Sequence, residues 1–213
     1  MYLLTREFFG YFGALISAIF YIYAPYHAVD VYVRGSLNEF FCFIWLPAIF
    51  WAIYKLVKEE KKIFIFILSI FLAFLLLSHN VMVMLFIPSI FAWIVFLIIY
   101  LKKYKPIKLI IYSSLLSLGL SSFFIVSVLF ERGLVNMSSI IEEYFIYYRH
   151  FPSIKQLFIS RFWGFGGSTF GFDDTMSFSM GHLHWIFSLI VFIGVLIVII
   201  KNRLWGKGKN EEY

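Results

Sequence analysis

The sequence predicts an all-α membrane protein with about six transmembrane helices and one long outer loop containing short helices. Of its 213 residues, 62% are hydrophobic and only 14% are charged, whereas soluble domains are about half apolar. The apolar residues form runs near the ~20 residues needed to cross ~30 Å of hydrocarbon. Short basic clusters separate several runs, as they do in cytoplasmic loops. We therefore expect one multi-spanning membrane domain over residues 1–213.

Six apolar runs, separated by charged residues or by proline and glycine, are the predicted spans. They cover roughly residues 7–24, 39–54, 63–78, 81–101, 109–130 and 183–200, and the outer loop covers 131–181. The run from Ile63 to Leu101 is too long for one span, and only Ser78-His79-Asn80 interrupts it. We interpret this tripeptide as a tight turn between two helices or as a helix break that faces protein.

Basic residues predict the orientation. Four follow each of the second, fourth and sixth spans, and an alternating topology brings all three clusters to one face. They are Lys55, Lys58, Lys61 and Lys62, then Lys102, Lys103, Lys105 and Lys108, then Lys201, Arg203, Lys207 and Lys209. The positive-inside rule makes this face cytoplasmic. The sequence thus predicts a multi-pass cell-membrane protein with a cytoplasmic C-terminus and with its five histidines at or near the outer face.

Several functional classes have no support in the sequence. The net charge of +6 comes from loop clusters without interleaved aromatic residues, so we expect no nucleic-acid partner. The single cysteine, Cys42, can form neither an intrachain disulfide nor a thiolate metal site. Motifs of serine hydrolases, zinc proteases and thiol redox proteins are missing.

The segment from Tyr26 to Glu39 is the most charged stretch between two apolar runs. At helical pitch Asp30 and Arg34 form an i, i+4 pair, His27 lies on the same side as Arg34, and Glu39 is rotated off that face. Charges at this depth are costly unless they are paired or reach water. Two readings stay open: a functional site, or a juxtamembrane segment whose charges mark the edge of the lipid.

Two further motifs lie in the outer loop. The glycine-rich stretch Gly164–Gly171 offers backbone N–H groups that can bind phosphate, or it is a turn-rich loop that caps the bundle. Asp173-Asp174 can bind a divalent cation through oxygen, or it is a solvated loop. His182 and His184 point about 200° apart on a helix, which argues against a shared metal site.

Six stretches, in chain order, resemble the bacterial family of 6-pyruvoyl-tetrahydropterin synthase-related membrane proteins. They are Tyr26-His-Ala-Val-Asp-Val-Tyr-Val-Arg-Gly-Ser-Leu-Asn-Glu39, Leu77-Ser-His-Asn80, Phe130-Glu-Arg132, His150-Phe151, Trp163-Gly-Phe-Gly-Gly-Ser168 and Asp174-Thr-Met-Ser-Phe-Ser-Met-Gly181. That organisation is similar to GT-C glycosyltransferases, which use polyprenyl-phosphate sugar donors at the outer face. The resemblance implies an acidic residue in a first outer loop. Since only one span precedes Asp30, we expect the sequence to be an N-terminally incomplete member.

The resemblance implies membrane lipid, in the form of polyprenyl phosphate, as the partner. Asp30, Glu39 and His79 are then the candidate catalytic residues, and Arg34 is the phosphate ligand because its fork geometry suits that group. The remaining candidate substrate-binding residues are Asn80, Gly164, Gly166, Gly167, Ser168 and Asp174. The alternatives are a non-catalytic protein that binds or transports lipid or polysaccharide precursors, and a scaffold whose outer loops bind proteins.

Overall fold

The computed structural model describes residues 1–134, 150–168 and 175–208, the last six by backbone alone. Within these ranges the chain is helical, and the only strand pairing is an isolated antiparallel bridge between Phe165 and Met176. The chain forms two compact units. The first contains Met1–Ile22 and Asp30–Ile146, and the second contains Tyr23–Val29 and Tyr147–Tyr213. The single-domain organisation stays a prediction.

The first unit is a bundle of apolar helices. Its helices are α1 (Tyr2–Ile22), α3 (Leu37–Glu59), α4 (Ile63–Ser78), α5 (Asn80–Leu101), α6 (Pro106–Leu120) and α7 (Ser122–Glu131). A five-residue π-helical turn, Val29–Val33, precedes α3. Helix α1 is kinked at Gly10, whose φ of 68° lies in the left-handed region that glycine adopts most easily.

Helix α3 is the centre of this bundle. Its buried residues, including Ile49, Ile53 and Leu56, belong to one hydrophobic core with residues of α4, α5 and α6. Trp45 stacks on Phe74 of α4, and the indole N–H of another tryptophan, Trp93 of α5, donates to the carbonyl of residue 50 over 3.0 Å. Contacts to α1, α4 and α5 therefore place α3 in the interior.

Small polar residues let α6 pack closely within the bundle. Ser113, Ser117 and Ser121 are buried, and each hydroxyl donates to a backbone carbonyl three or four residues earlier. Such serines permit close helix approach in membranes and often bend the helix. Helices α6 and α7 meet at Ser121 with a bend of 65°.

The ends of α3 and α5 that carry lysine lie side by side. Lys103 donates to the carbonyl oxygen of Lys58 over 2.7 Å and lies 3.2 Å from Glu60. Lys55 lies 2.9 Å from Glu7 of α1. Two of the three basic clusters are thus at one end of this unit, as the predicted topology requires. Which side of a membrane that end faces stays a prediction.

Among the described residues, four helices are long and apolar enough to cross a membrane: Tyr2–Ile22, Leu37–Glu59, Asn80–Leu101 and His182–Asn202. The bent pair α6–α7 makes a fifth if it counts as one span. The third predicted span is a helix of 16 residues, shorter than the ~20 that cross the hydrocarbon. Apolar helices therefore agree with an integral membrane protein, while the count of six spans is not established.

The second unit contains two short helices and one long one. They are α2 (Pro25–Ala28), α8 (Ile154–Phe158) and α9 (His182–Gly208). Helix α8 begins with a capping box, in which the Ser153 hydroxyl accepts from the backbone N–H of Gln156 and the Gln156 side chain accepts from that of Ser153. Residues 135–149 and 169–174 of the predicted outer loop lie outside the described residues.

Candidate functional site

An aspartate and an arginine form an ion pair at the π-helical turn before α3. Nη1 of Arg34 lies 3.0 Å from Oδ1 of Asp30, which confirms the predicted i, i+4 pair. The Asp30 side chain is fully buried, whereas that of Arg34 is 32% exposed. Burying a carboxylate requires a partner of this kind, because an isolated buried charge is very costly.

Glu39 joins this pair, contrary to the prediction that it points away. Its Oε2 lies 2.9 Å from the same Nη1 of Arg34 and accepts a hydrogen bond of 3.3 Å from the Ser36 hydroxyl. The prediction assumed a continuous helix, but Gly35 has a φ of +62° and ends the turn. The Ser36 N–H then donates back to the Asp30 carbonyl over 2.9 Å. This reversal brings the first turn of α3 back to Arg34.

The Asp30 carboxyl is the most chemically distinctive group of the cluster. Its Oδ2 is buried and has no hydrogen-bond partner among the described residues. Burial, and to a lesser degree the nearby Glu39 charge, raise the Asp30 pKa to about 6, although Arg34 opposes the shift. A carboxyl with this pKa changes protonation close to neutral pH, which suits a general base.

The charges of the cluster bear on the role predicted for Arg34. With both carboxylates ionised, one guanidinium faces two acids, so the three side chains sum to −1. A phosphate approaching Arg34 therefore competes with Asp30 and Glu39 for the same cation. In this geometry Arg34 binds the two carboxylates. Its role as a phosphate ligand stays a prediction.

The break at Ser78-His79-Asn80 is confirmed as a boundary between two helices. Helix α4 ends at Ser78, α5 begins at Asn80, and His79 between them is extended. Nδ1 of His79 accepts from the N–H of Met82 over 3.4 Å and so caps α5. No hydrogen bond or ion pair joins this histidine to the acid–base cluster in the described part of the chain. The catalytic role of His79 and the substrate role of Asn80 stay predictions.

The same break lies at the cluster's end of the bundle. Phe74, one turn before the break, stacks on Trp45 of α3, and the Cys42 thiol lies one turn after Glu39 in the same helix. The thiol donates to the carbonyl of Asn38 over 3.4 Å. Cys42 is fully buried, in agreement with a structural thiol.

The glycine-rich loop has its own hydrogen-bonding partner in the second unit. The Gly166 N–H donates to the carbonyl of Thr175 over 2.8 Å, and the Thr175 hydroxyl donates to the carbonyl of Gly167 over 2.6 Å. A Cβ on Gly166 would lie 2.4 Å from that Thr175 oxygen, so the close pairing requires glycine. The Gly166 N–H is thus used within the fold.

The other loop candidates have separate surroundings. A Cβ on Gly164 would lie 2.6 Å from the Phe162 ring, so this glycine also permits a close approach. The Ser168 hydroxyl lies 3.3 Å from Nδ1 of His150. Phosphate binding by Gly164, Gly166, Gly167 and Ser168 stays a prediction. Asp174, like Asp173, lies outside the described residues, so the predicted cation site does too.

Sequence reasoning overlooked one group of residues in the second unit. Arg161, His182 and His184 line a common pocket together with Ser160, Ser177 and Ser179. Helical geometry alone predicted that the two histidines point apart. It did not include the segment around Arg161, which packs beside them.

No family model, curated protein or solved structure matches the chain.

Proposed function

We propose that the chain is a GT-C-like glycosyltransferase that uses a polyprenyl-phosphate-linked sugar. The observation that carries the proposal is the Asp30 carboxyl, which is buried, has an unpartnered Oδ2 among the described residues and a pKa raised to about 6. The membership in the 6-pyruvoyl-tetrahydropterin synthase-related family, proposed from the sequence motifs, supplies the reaction class. Glycosyl transfer to a hydroxyl needs a base, and a base with a pKa near the working pH is the most effective.

In this reaction the bond between the anomeric carbon of the sugar and the phosphate oxygen breaks. The polyprenyl phosphate leaves with the electron pair of that bond. A new bond forms between the anomeric carbon and the acceptor hydroxyl oxygen, and the hydroxyl proton moves to Oδ2 of Asp30. Arg34 and Glu39 hold Asp30 in position, since Oδ1 of Asp30 and Oε2 of Glu39 both contact Nη1 of Arg34.

The outer membrane face is the proposed location of the reaction. Two basic clusters meet at the other end of the first unit, where Lys103 contacts Lys58 and Glu60. The positive-inside rule places those basic clusters in the cytoplasm, so the Asp30 cluster at the opposite end faces outward. This is the side on which GT-C enzymes use lipid-linked sugars, and it makes the chain a multi-pass protein of the cell membrane.

The test is transfer of labelled sugar from a polyprenyl-phosphate donor by the purified full chain in liposomes. We expect Asp30→Asn to lower the transfer rate about 100-fold or more, the usual effect of removing a general base. Glu59→Gln is the matched control, because it removes a carboxylate from the lysine-rich end of α3, away from the Asp30 cluster. Equal rates for the Asp30 variant and the unsubstituted chain would contradict the proposal.

A second candidate is a non-catalytic protein that binds or transports lipid or polysaccharide precursors. The observation that favours it is the pairing of Arg34 with two carboxylates, because buried charges of this kind also line the binding sites and pathways of transport proteins. Its position at one end of the bundle, rather than at mid-span, favours the enzyme. Movement of a labelled precursor into proteoliposomes without chemical change would decide for transport.

A further inference from the structure

A pocket of about 370 Å³ lies within the second unit, where the segment after α8 meets the start of α9. Its polar lining residues all carry a hydrogen-bond donor or a basic group. They are Ser160, Arg161, Ser177, Ser179, His182 and His184. Ser177 is buried, whereas Arg161 is exposed to the surroundings. The pocket thus combines a buried polar floor with an accessible positive charge.

The walls of this pocket are fixed by the end of α8. Its last carbonyls lack intrahelical partners, and groups near the start of α9 satisfy them. The N–H of Met180 donates to Leu157 over 3.0 Å, and the indole N–H of Trp185 donates to the next carbonyl over 3.1 Å. Nε2 of His182 donates to Ile159 over 3.2 Å. These three bonds hold the two segments together.

The electrostatics of the pocket favour an anion. Arg161 supplies a full positive charge, and no described residue that lines the pocket is an aspartate or glutamate. The first turn of the 27-residue helix α9 lines the pocket through residues 181–184. A helix N-terminus presents unpaired N–H groups and a partial positive charge. An oxyanion with several acceptor oxygens, such as phosphate, fits this set of donors.

An apolar pocket of about 550 Å³ adjoins the polar one. The two share His184, and the apolar pocket continues along α9 through Trp185, Ser188, Leu189 and Phe192. Among the described helices, α9 contains the most apolar candidate span, with a mean hydropathy of 2.8 over an 18-residue window within His182–Asn202. A ligand that fills both pockets has an anionic head beside Arg161 and a hydrocarbon chain along a membrane-crossing helix.

We propose that these joined pockets bind an anionic lipid phosphate. The phosphate contacts Arg161, Ser177 and the first turn of α9, and one hydrocarbon chain lies against Leu189 and Phe192. This site does not depend on the proposed sugar transfer, because it lies in the second unit and contains no residue of the Asp30 cluster. It assigns lipid-phosphate recognition to Arg161 and its neighbours.

The first experiment compares ligands on the unsubstituted full chain in detergent. Phosphatidic acid, phosphatidylcholine and glycerol 3-phosphate are titrated separately, and bound ligand is counted by native mass spectrometry. We expect phosphatidic acid to bind at least about tenfold more tightly than the other two, since a charge-assisted hydrogen bond is typically worth a factor of this size. Equal binding of the two lipids would overturn the phosphate site, and equally tight binding of glycerol 3-phosphate would overturn the lipid as the occupant.

The second experiment determines where the ligand binds by comparing matched variants. Arg161→Gln and Lys155→Gln each remove one cation from the second unit, but only Arg161 lines the pocket. Likewise, Leu189 lines the apolar pocket and Leu196 does not, although both lie on α9. We expect Arg161→Gln to weaken phosphatidic acid binding about tenfold and Leu189→Ala to weaken it measurably, with both controls unchanged. Equal losses in the two members of either pair would overturn the assigned position.

Discussion

Oε2 of Glu39 and Nη1 of Arg34 lie 2.9 Å apart across Gly35, which follows the π-helical turn Val29–Val33 by two residues. The contact depends on the backbone as much as on the charges. Gly35 has a φ of +62°, a conformation that costs an L-residue with a Cβ roughly 1 kcal/mol or more. No atom lies within 4 Å of a Cβ placed there, so the backbone term is the dominant one.

Gly35→Ala is therefore expected to destabilise the chain by about 1 kcal/mol through the backbone alone. Thermal unfolding in detergent measures the change. Gly119→Ala is the matched control, because a Cβ on Gly119 also meets open space but that glycine lies in the last turn of α6 and has no positive φ. Alanine is favoured over glycine in a helix, so this control should be neutral or stabilising. The same loss in both variants would exclude the left-handed conformation as the cause.

Removal of the Arg34 charge should cost more than removal of the Asp30 charge. Arg34→Gln leaves two mostly buried carboxylates without their cation, whereas Asp30→Asn leaves the Arg34–Glu39 pair intact. Breaking a buried pair costs about 3–5 kcal/mol. Because Arg34 is 32% exposed, we expect a smaller loss here: Arg34→Gln should lower the free energy of unfolding by about 2 kcal/mol. Lys58→Gln, which breaks an exposed pair of 3.5 Å, should cost below about 1 kcal/mol.

Burial of Asp30 makes stability depend on pH in a defined direction. Its pKa is about 6 in the folded chain against an ordinary value of 3.8. The native state therefore binds a proton more tightly than the unfolded state, and the stability that this proton contributes is lost as pH rises from about 4 through 6. The loss amounts to roughly 3 kcal/mol, since one pKa unit corresponds to about 1.4 kcal/mol.

Unfolding of the unsubstituted chain and of Asp30→Asn should be compared at pH 5 and pH 8. Other groups titrate in both chains, so the difference between their pH dependences isolates Asp30. We expect the unsubstituted chain to lose stability between these values relative to the variant. An identical pH dependence would show that the Asp30 carboxyl is not desolvated. In the transfer assay, the same group should give a rate that rises through pH 6.

Patterns in the sequence were sufficient to locate the apolar helices, but they predicted only some of the contacts between charged groups. The apolar runs located the helical segments, and i, i+4 spacing predicted Asp30–Arg34 correctly. The contact between Glu39 and Arg34 was not predicted, because it depends on the left-handed conformation of Gly35. The φ of a glycine cannot be inferred from the sequence. The helix boundary at His79 was predicted from its polarity. The grouping of Arg161 with Ser177, His182 and His184 was missed because these residues are 16 or more positions away in the chain, and helical periodicity carries no information over that separation.

The pairing of the glycine-rich loop with Thr175 leads to a last prediction. A Cβ on Gly166 would lie 2.4 Å from the Thr175 carbonyl oxygen and 2.9 Å from its carbon, so backbone atoms would have to move. Gly166→Ala should therefore separate the loop from residues 175–176 and expose it to protease. Gly194→Ala is the control in the same unit, because no atom lies within 4 Å of its Cβ position. Limited proteolysis should cut the Gly166 variant in this loop faster than the control; equal cleavage would mean that the loop tolerates a side chain and that its close pairing with Thr175 is not required.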